Sequence, residues 1–190
     1  MAAADAELFH PSDLAELRTW LAENHGRGTG VWLVRWRSVT GRPTVSYEDV
    51  VCEALCWGWI DGQAKLIDDE RTAQWVAPRK PGSGWAATNK ARILELERQG
   101  RIQPAGRAVI DQAKADGSWT LLDSAEALQE PDELTAALNA NPAARAAWDR
   151  FPPSVRKFGL TSIAMAKRPE TKAARIATIV AKAACGERPA

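Results

Sequence analysis

Ser46-Tyr-Glu-Asp-Val-Val-Cys-Glu-Ala-Leu-Cys-Trp-Gly-Trp-Ile-Asp-Gly62 switches from helical to extended periodicity. Ser46 can accept from the free amides of a first helical turn and Asp49 sits at the third position. Val50, Val51, Ala54 and Leu55 then make one apolar stripe. Gly58 ends the helix. Residues 59–67 and 71–76 read as two short strands around the acidic turn Asp68-Asp-Glu70, close enough in sequence for a hairpin. Upstream, Gly30-Val-Trp-Leu-Val-Arg-Trp-Arg37 is a further strand, rich in β-branched and aromatic residues. Its alternation puts Trp32, Val34 and Trp36 on one face, and Val31, Leu33, Arg35 and Arg37 on the other. Ser12 is expected to cap a preceding helix that carries Leu14, Leu17, Trp20 and Leu21.

Downstream the pattern becomes helical. A helix is expected over 84–99, closed by Gly100, and another from Pro104 to Gly117. Past an irregular connector, 118–131, helices are expected over 132–140, 142–151, 153–167 and 170–185. Prolines 142, 152, 153 and 169 mark the joints. The fold class is α+β: a small, mostly antiparallel sheet covered by helices, with an all-helical C-terminal third. We divide the chain into a Trp-rich sheet unit, 1–125, and a helical layer, 126–190, expected to pack as one unit.

The chain has 190 residues, 45% apolar and 26% charged, a globular rather than a disordered composition. No run approaches the ~20 apolar residues of a membrane span. Residues 1–10 lack the basic start and apolar run of a signal peptide. Three cysteines, an odd number, suit a reducing compartment, so a cytoplasmic protein is expected. Cys52 and Cys56 lie four apart on a helix, too far for an unstrained bridge, and read as buried thiols. A metal site there would need His10, His25 or Cys185 to converge, and no metal is expected.

The net charge of +1 hides an asymmetry. From residue 150 onward nine Lys/Arg face only Glu170 and Glu187, giving +7 against −6 for the rest. That surplus suits either an anionic partner, such as nucleic acid or an anionic surface, or solvated helix faces paired with acidic residues of the same chain. The second is our default.

Residues with chemical potential cluster in the middle of the chain. Trp57, Trp59 and Asp61 alternate onto one strand face, where a carboxylate beside two indoles would have a raised pKa unless a cation pairs with it. Asp61 is thus a weak catalytic candidate, and equally a turn or ion-pair residue. In the loop after Val76, Arg79, Lys80 and Ser83 precede an expected helix start, with two glycines lining the approach. Free helix amides there suit an anion. The structural alternative is a solvated loop with Ser83 as cap. Trp85, Asn89, Ile93 and Leu96 share one helix face, with Thr88 and Arg92 beside it. Asn89 therefore either braces a loop or faces a ligand. Nine tryptophans serve cores and ligand platforms alike, and core packing is the reading for most of them. No nucleophile elbow and no Gly-x-Gly-x-x-Gly is present, so no dinucleotide cofactor is expected.

Several stretches resemble the bacterial YdeI/OmpD-associated (bacteriocin-protection) family. They are Glu53-Ala-Leu-Cys-Trp-Gly-Trp-Ile-Asp-Gly62, Pro78-Arg-Lys-Pro-Gly-Ser-Gly-Trp-Ala-Ala-Thr-Asn-Lys-Ala-Arg92, Gly100-Arg-Ile-Gln-Pro-Ala-Gly106 and Ala166-Lys-Arg-Pro-Glu-Thr-Lys-Ala-Ala-Arg-Ile176. The resemblance runs from about residue 45 to residue 180, with one departure, Ala86, where a serine often follows the tryptophan. It implies a role in stress or antimicrobial defence and supplies no catalytic residue. Together these readings give a non-catalytic or weakly catalytic, defence-type binding protein. It would hold an anionic or aromatic small ligand through Trp57, Trp59, Asp61, Arg79, Lys80, Ser83, Trp85, Asn89 and Arg92. Two alternatives stand beside it. One is a small enzyme with Asp61 as acid/base and Arg79 and Lys80 stabilising negative charge. The other is a nucleic-acid or anionic-surface binder acting through the basic C-terminal helices.

Overall fold

The computed structural model describes residues 6–189. It shows an α+β protein with a four-stranded mixed sheet and an all-helical C-terminal region. Two compact units divide the chain: residues up to Ser83 with Thr88–Asp116, and Gly84–Ala87 with the residues from Gly117 onward.

In the first unit, strands β1 (Leu8–Phe9), β2 (Val31–Trp36), β3 (Trp59–Leu66) and β4 (Arg71–Pro78) lie in the order β1-β2-β4-β3. The expected hairpin is β3–β4, and β4 also pairs antiparallel with β2. β1 pairs parallel with β2, a contact between distant segments that two residues of sequence could not announce. Helix α1 (Leu14–Asn24) is capped by Asp13, which accepts from the Glu16 amide at 2.9 Å. Ser12, the expected cap, instead donates its amide and hydroxyl to the Glu16 carboxylate, each at 2.7 Å. A 3₁₀ turn, Ser38–Thr40, follows β2. Helix α2 (Tyr47–Cys56) starts as expected, with Ser46 accepting from the Asp49 amide at 3.0 Å. Helices α3 (Ala87–Arg98) and α4 (Pro104–Ala115) follow.

Alternation along β2 decides the packing of both sheet faces. Val31 and Leu33 join Leu17, Leu21, Val50, Ala54, Trp59 and Val76 in a core beneath α1 and α2. Trp32 and Val34 turn the other way and pack with Ala73. The indoles are mostly structural: Trp20 meets Trp59 edge-on at 5.8 Å and Trp32 meets Trp75 at 5.3 Å.

In the second unit, α5 (Asp123–Glu126), α6 (Asp132–Asn139), α7 (Pro142–Arg150), α8 (Pro153–Ala164) and α9 (Pro169–Ala184) enclose Leu134, Leu138, Trp148, Leu160, Ile163, Ile176 and Ile179. Prolines open α7, α8 and α9, where a missing N–H costs nothing. Glu130 accepts from both Arg145 Nη atoms at 2.7 and 2.9 Å and from Trp148 Nε1 at 2.8 Å, inside the unit. Among the described residues no helix is long and apolar enough to cross a membrane.

Candidate functional site

The loop expected to cradle an anion is explained by local chemistry. Lys80-Pro-Gly-Ser83 is a tight turn, with Gly82 at φ +71° after Pro81, as a type II turn requires. The Ser83 amide and hydroxyl both donate to the Lys80 carbonyl, at 3.2 and 2.6 Å. Ser83 therefore closes the turn and caps no helix. Gly84 is a glycine because a Cβ there would sit 2.7 Å from Leu122 Cγ. Trp85 is 1% exposed and its ring lies 4.9 Å from Trp119. That burial holds 84–86 out of the helix, so α3 begins at Ala87 and not at Gly84. The Ala87 amide already donates to Glu126 Oε1 at 3.3 Å, and Lys157 Nζ lies 3.0 Å from the other oxygen.

The sheet unit holds the remaining candidates. Trp57 is not on β3: it terminates α2 and stacks on His25 at 4.6 Å. Trp59 is 1% exposed and donates from Nε1 to the His25 carbonyl at 3.0 Å. Asn89 is buried and accepts from Arg92 Nη1, one turn along the same helix, at 3.0 Å. Arg92 also grips Glu48 in two parallel bonds of 2.7 Å, and this holds the Glu48 carboxyl below its ordinary range. Lys80 is exposed.

Asp61 lies opposite Val76 on the helix-facing side of the sheet, just before a register shift in β3. It accepts from the Tyr47 hydroxyl at 2.8 Å, and Gln74 Nε2 is 3.5 Å away. Burial, then the bond to Asp61, pushes the Tyr47 phenol up from its usual value. Arg79 is 7% exposed. Burial lowers its guanidinium to about 10 against the attraction of Asp61, and it remains a cation at neutral pH.

Arg35 is a functional candidate absent from the sequence-derived site. Burial lowers its pKa, its Nε is hidden from solvent without a hydrogen-bond partner, and its Cζ lies 6.0 Å from the Tyr47 ring. No carboxylate pairs with it among the described residues. The available signal was local: Arg35 and Arg37 on a strand face otherwise made by Val31 and Leu33.

The cysteines divide by environment. Burial raises Cys56 to about 11, and burial with nearby Glu48 raises Cys52. Among the described residues no trio of His, Cys, Asp or Glu converges as a metal would need. The basic C-terminal helices partly pair within their own unit, Lys157 with Glu126 and Lys172 with Glu133 at 2.6 Å.

Fold and site define the class: an α+β protein with a four-stranded mixed sheet whose helix-facing side carries a half-buried arginine, and with a helical C-terminal unit. The chain belongs to the family described as "Domain of unknown function (DUF8412)", which matches residues 9–109. Residues 127–186 match the family described as "Bacteriocin-protection, YdeI or OmpD-Associated". That second match is narrower than the span of the resemblance. It contains the 166–176 stretch, whereas 53–62, 78–92 and 100–106 fall in the first match. No curated protein and no solved structure matches the chain.

Proposed function

We propose that this is a defence-type binding protein that holds a small anionic ligand on the helix-facing side of its sheet without transforming it. One observation carries the reading: positive charge has been taken out of water there without matching negative charge. Asp61 offsets Arg79, and nothing comparable faces Arg35 among the described residues. Partial withdrawal of a cation from water is unfavourable unless a counter-charge is supplied, and solvent screens part of that cost at half-buried Arg35. A bound anion supplies one.

The same geometry weighs against catalysis by Asp61. Its carboxylate already accepts a hydrogen bond from the Tyr47 hydroxyl, and a phenol with a raised pKa is a poor proton donor to relay through it near neutrality. The match over 127–186 supports a protective role of the kind its description names. Three free thiols, with Cys185 exposed, support action in a reducing cytoplasm.

The test is a thermal-shift and tryptophan-quenching titration with small organic acids, inorganic phosphate and uncharged isosteres. At least one anion is expected to bind saturably and stabilise the fold as RT ln(1 + [L]/Kd), and to be recovered unchanged. Turnover abolished by Asp61→Asn would support the enzyme reading instead. Steep salt dependence of duplex binding, lost with the C-terminal cations, would support nucleic acid.

A further inference from the structure

Resting on that anion-binding reading, we infer that the ligand is a small organic carboxylate with an apolar body. It binds in the cleft between the end of β2, the 38–46 segment and the β3–β4 hairpin, with Arg35 as its anchor. The cleft has a volume of about 580 Å³, within the ~300–1,000 Å³ of small-molecule sites. Its lining contains no Asp or Glu.

The walls define the chemistry. Val45, Ala64 and Leu66 give an apolar surface, and Leu66 stands 63% exposed at the rim, which suits a hydrocarbon or aromatic body. At the polar end, Arg35 makes no hydrogen bond among the described residues and no ion pair, so its planar fork is uncommitted. A fork of this shape matches a carboxylate in two parallel bonds. Thr44 Oγ1 accepts from the Trp36 amide at 3.2 Å, which leaves its own hydroxyl proton to donate to an incoming oxygen.

The neighbouring cations are oriented by neutral partners, which fix their direction without cancelling their charge. Arg37, also in the cleft, spends an Nη on the Asp69 carbonyl at 2.7 Å, and Lys65 Nζ sits over the Trp32 ring on the opposite sheet face at 4.0 Å. Of the three, only Arg35 has a guanidinium fork that makes no hydrogen bond among the described residues and is free to meet a carboxylate. The α2 N-terminus adds no vacancy, because Ser46 and Asp49 cap each other there. Tyr47 connects this cleft to the earlier cluster, facing Arg35 with its ring and Asp61 with its hydroxyl.

Isothermal titration of the full chain with benzoate, benzyl alcohol and inorganic phosphate tests the inference. Benzoate is expected to bind wild type at least tenfold more tightly than either other probe. Arg35→Gln should weaken benzoate about tenfold or more, the loss of one bidentate charge-assisted pair. Arg35→Lys, which keeps the charge without the fork, should fall between. Arg107→Gln, a cation outside the cleft that pairs with Glu97, should bind as wild type. Circular dichroism of each variant separates misfolding from lost binding. If Arg35→Gln and Arg35→Lys both bind benzoate like wild type, the anchor is wrongly assigned while anion binding stands. Phosphate binding as tightly as benzoate overturns the carboxylate assignment alone. If neither benzoate nor phosphate binds at millimolar concentration, the anion-binding reading falls with it.

Discussion

Glu130→Ala should remove a large part of the stability of the C-terminal unit. Trp148 is fully buried there, and its Nε1–H has Glu130 Oε1 as acceptor at 2.8 Å. The same carboxylate takes both Arg145 Nη atoms, and both side chains are well shielded, 18% exposed for Glu130 and 23% for Arg145. A buried indole N–H left without an acceptor costs ~1–3 kcal/mol, and a charge-assisted pair contributes a similar amount. Arg145 keeps Asp149, so the two do not add in full. A loss of about 3 kcal/mol is expected, or a fall in Tm of roughly 6–12 °C. Urea unfolding followed by helical circular dichroism should show a lower midpoint with an unchanged slope.

The gap between wild type and variant should also depend on pH. Arg145 holds the Glu130 carboxyl below its ordinary 4.5 in the folded state, so its contribution is full above that value. The contribution is lost as pH falls through the lower folded value, and the gap should close in acid. A variant within about 0.5 kcal/mol of wild type at neutral pH, or a gap unchanged between roughly pH 7 and pH 3, would refute the reasoning.

Arg35→Leu should raise Tm by roughly 2–4 °C in ligand-free protein, since replacing a desolvated ion by an apolar side chain is often stabilising. The same variant should no longer bind benzoate, and a lower Tm would mean the guanidinium has a structural partner. Gly106→Ala should destabilise by about 1–3 kcal/mol, because a Cβ would strike the Cys56 carbonyl oxygen. Alanine's better helix propensity, worth at most ~1 kcal/mol, works against that clash and loses, as denaturant midpoints should show. Native protein treated with a thiol reagent near pH 8 should label Cys185 first and Cys52 slowly. Cys56, buried and raised to about 11, should react only on unfolding. Fast labelling of Cys56 would show that α2 opens readily.

The candidate site was only partly legible in the sequence because its residues were judged without their partners. Asn89 was expected either to brace a loop or to face a ligand, and its bond is to Arg92 of the same helix, itself held by Glu48 more than 40 positions away. Trp57 and Trp59 read as one strand face, but the first belongs to the end of α2. Arg35 was placed on the correct face, beside Val31 and Leu33. What singles it out is the lack of a counter-charge in three dimensions, which no run of residues can display.

Elements whose signals are local were set by the sequence alone. Ser46 with Asp49 starts α2, prolines open α4, α7, α8 and α9, and a run of β-branched and aromatic residues makes β2, whose side chains then divide between two cores. Backbone capping, fixed proline φ and side-chain period act within a few residues, so they survive in any context. Tertiary structure decided where distant groups compete for the same atoms. Packing of Trp85 on Trp119 and of Leu122 against Gly84 delays α3 to Ala87, and the Glu126 carboxylate takes the amide that an anion would have used. Pairing of β1 with β2 and the order β1-β2-β4-β3 likewise arise from segments far apart in the chain. The cleft beside Arg35 is of the same kind: its walls come from β2, the 38–46 segment and the β3–β4 hairpin, and its unmatched charge exists only once they are assembled.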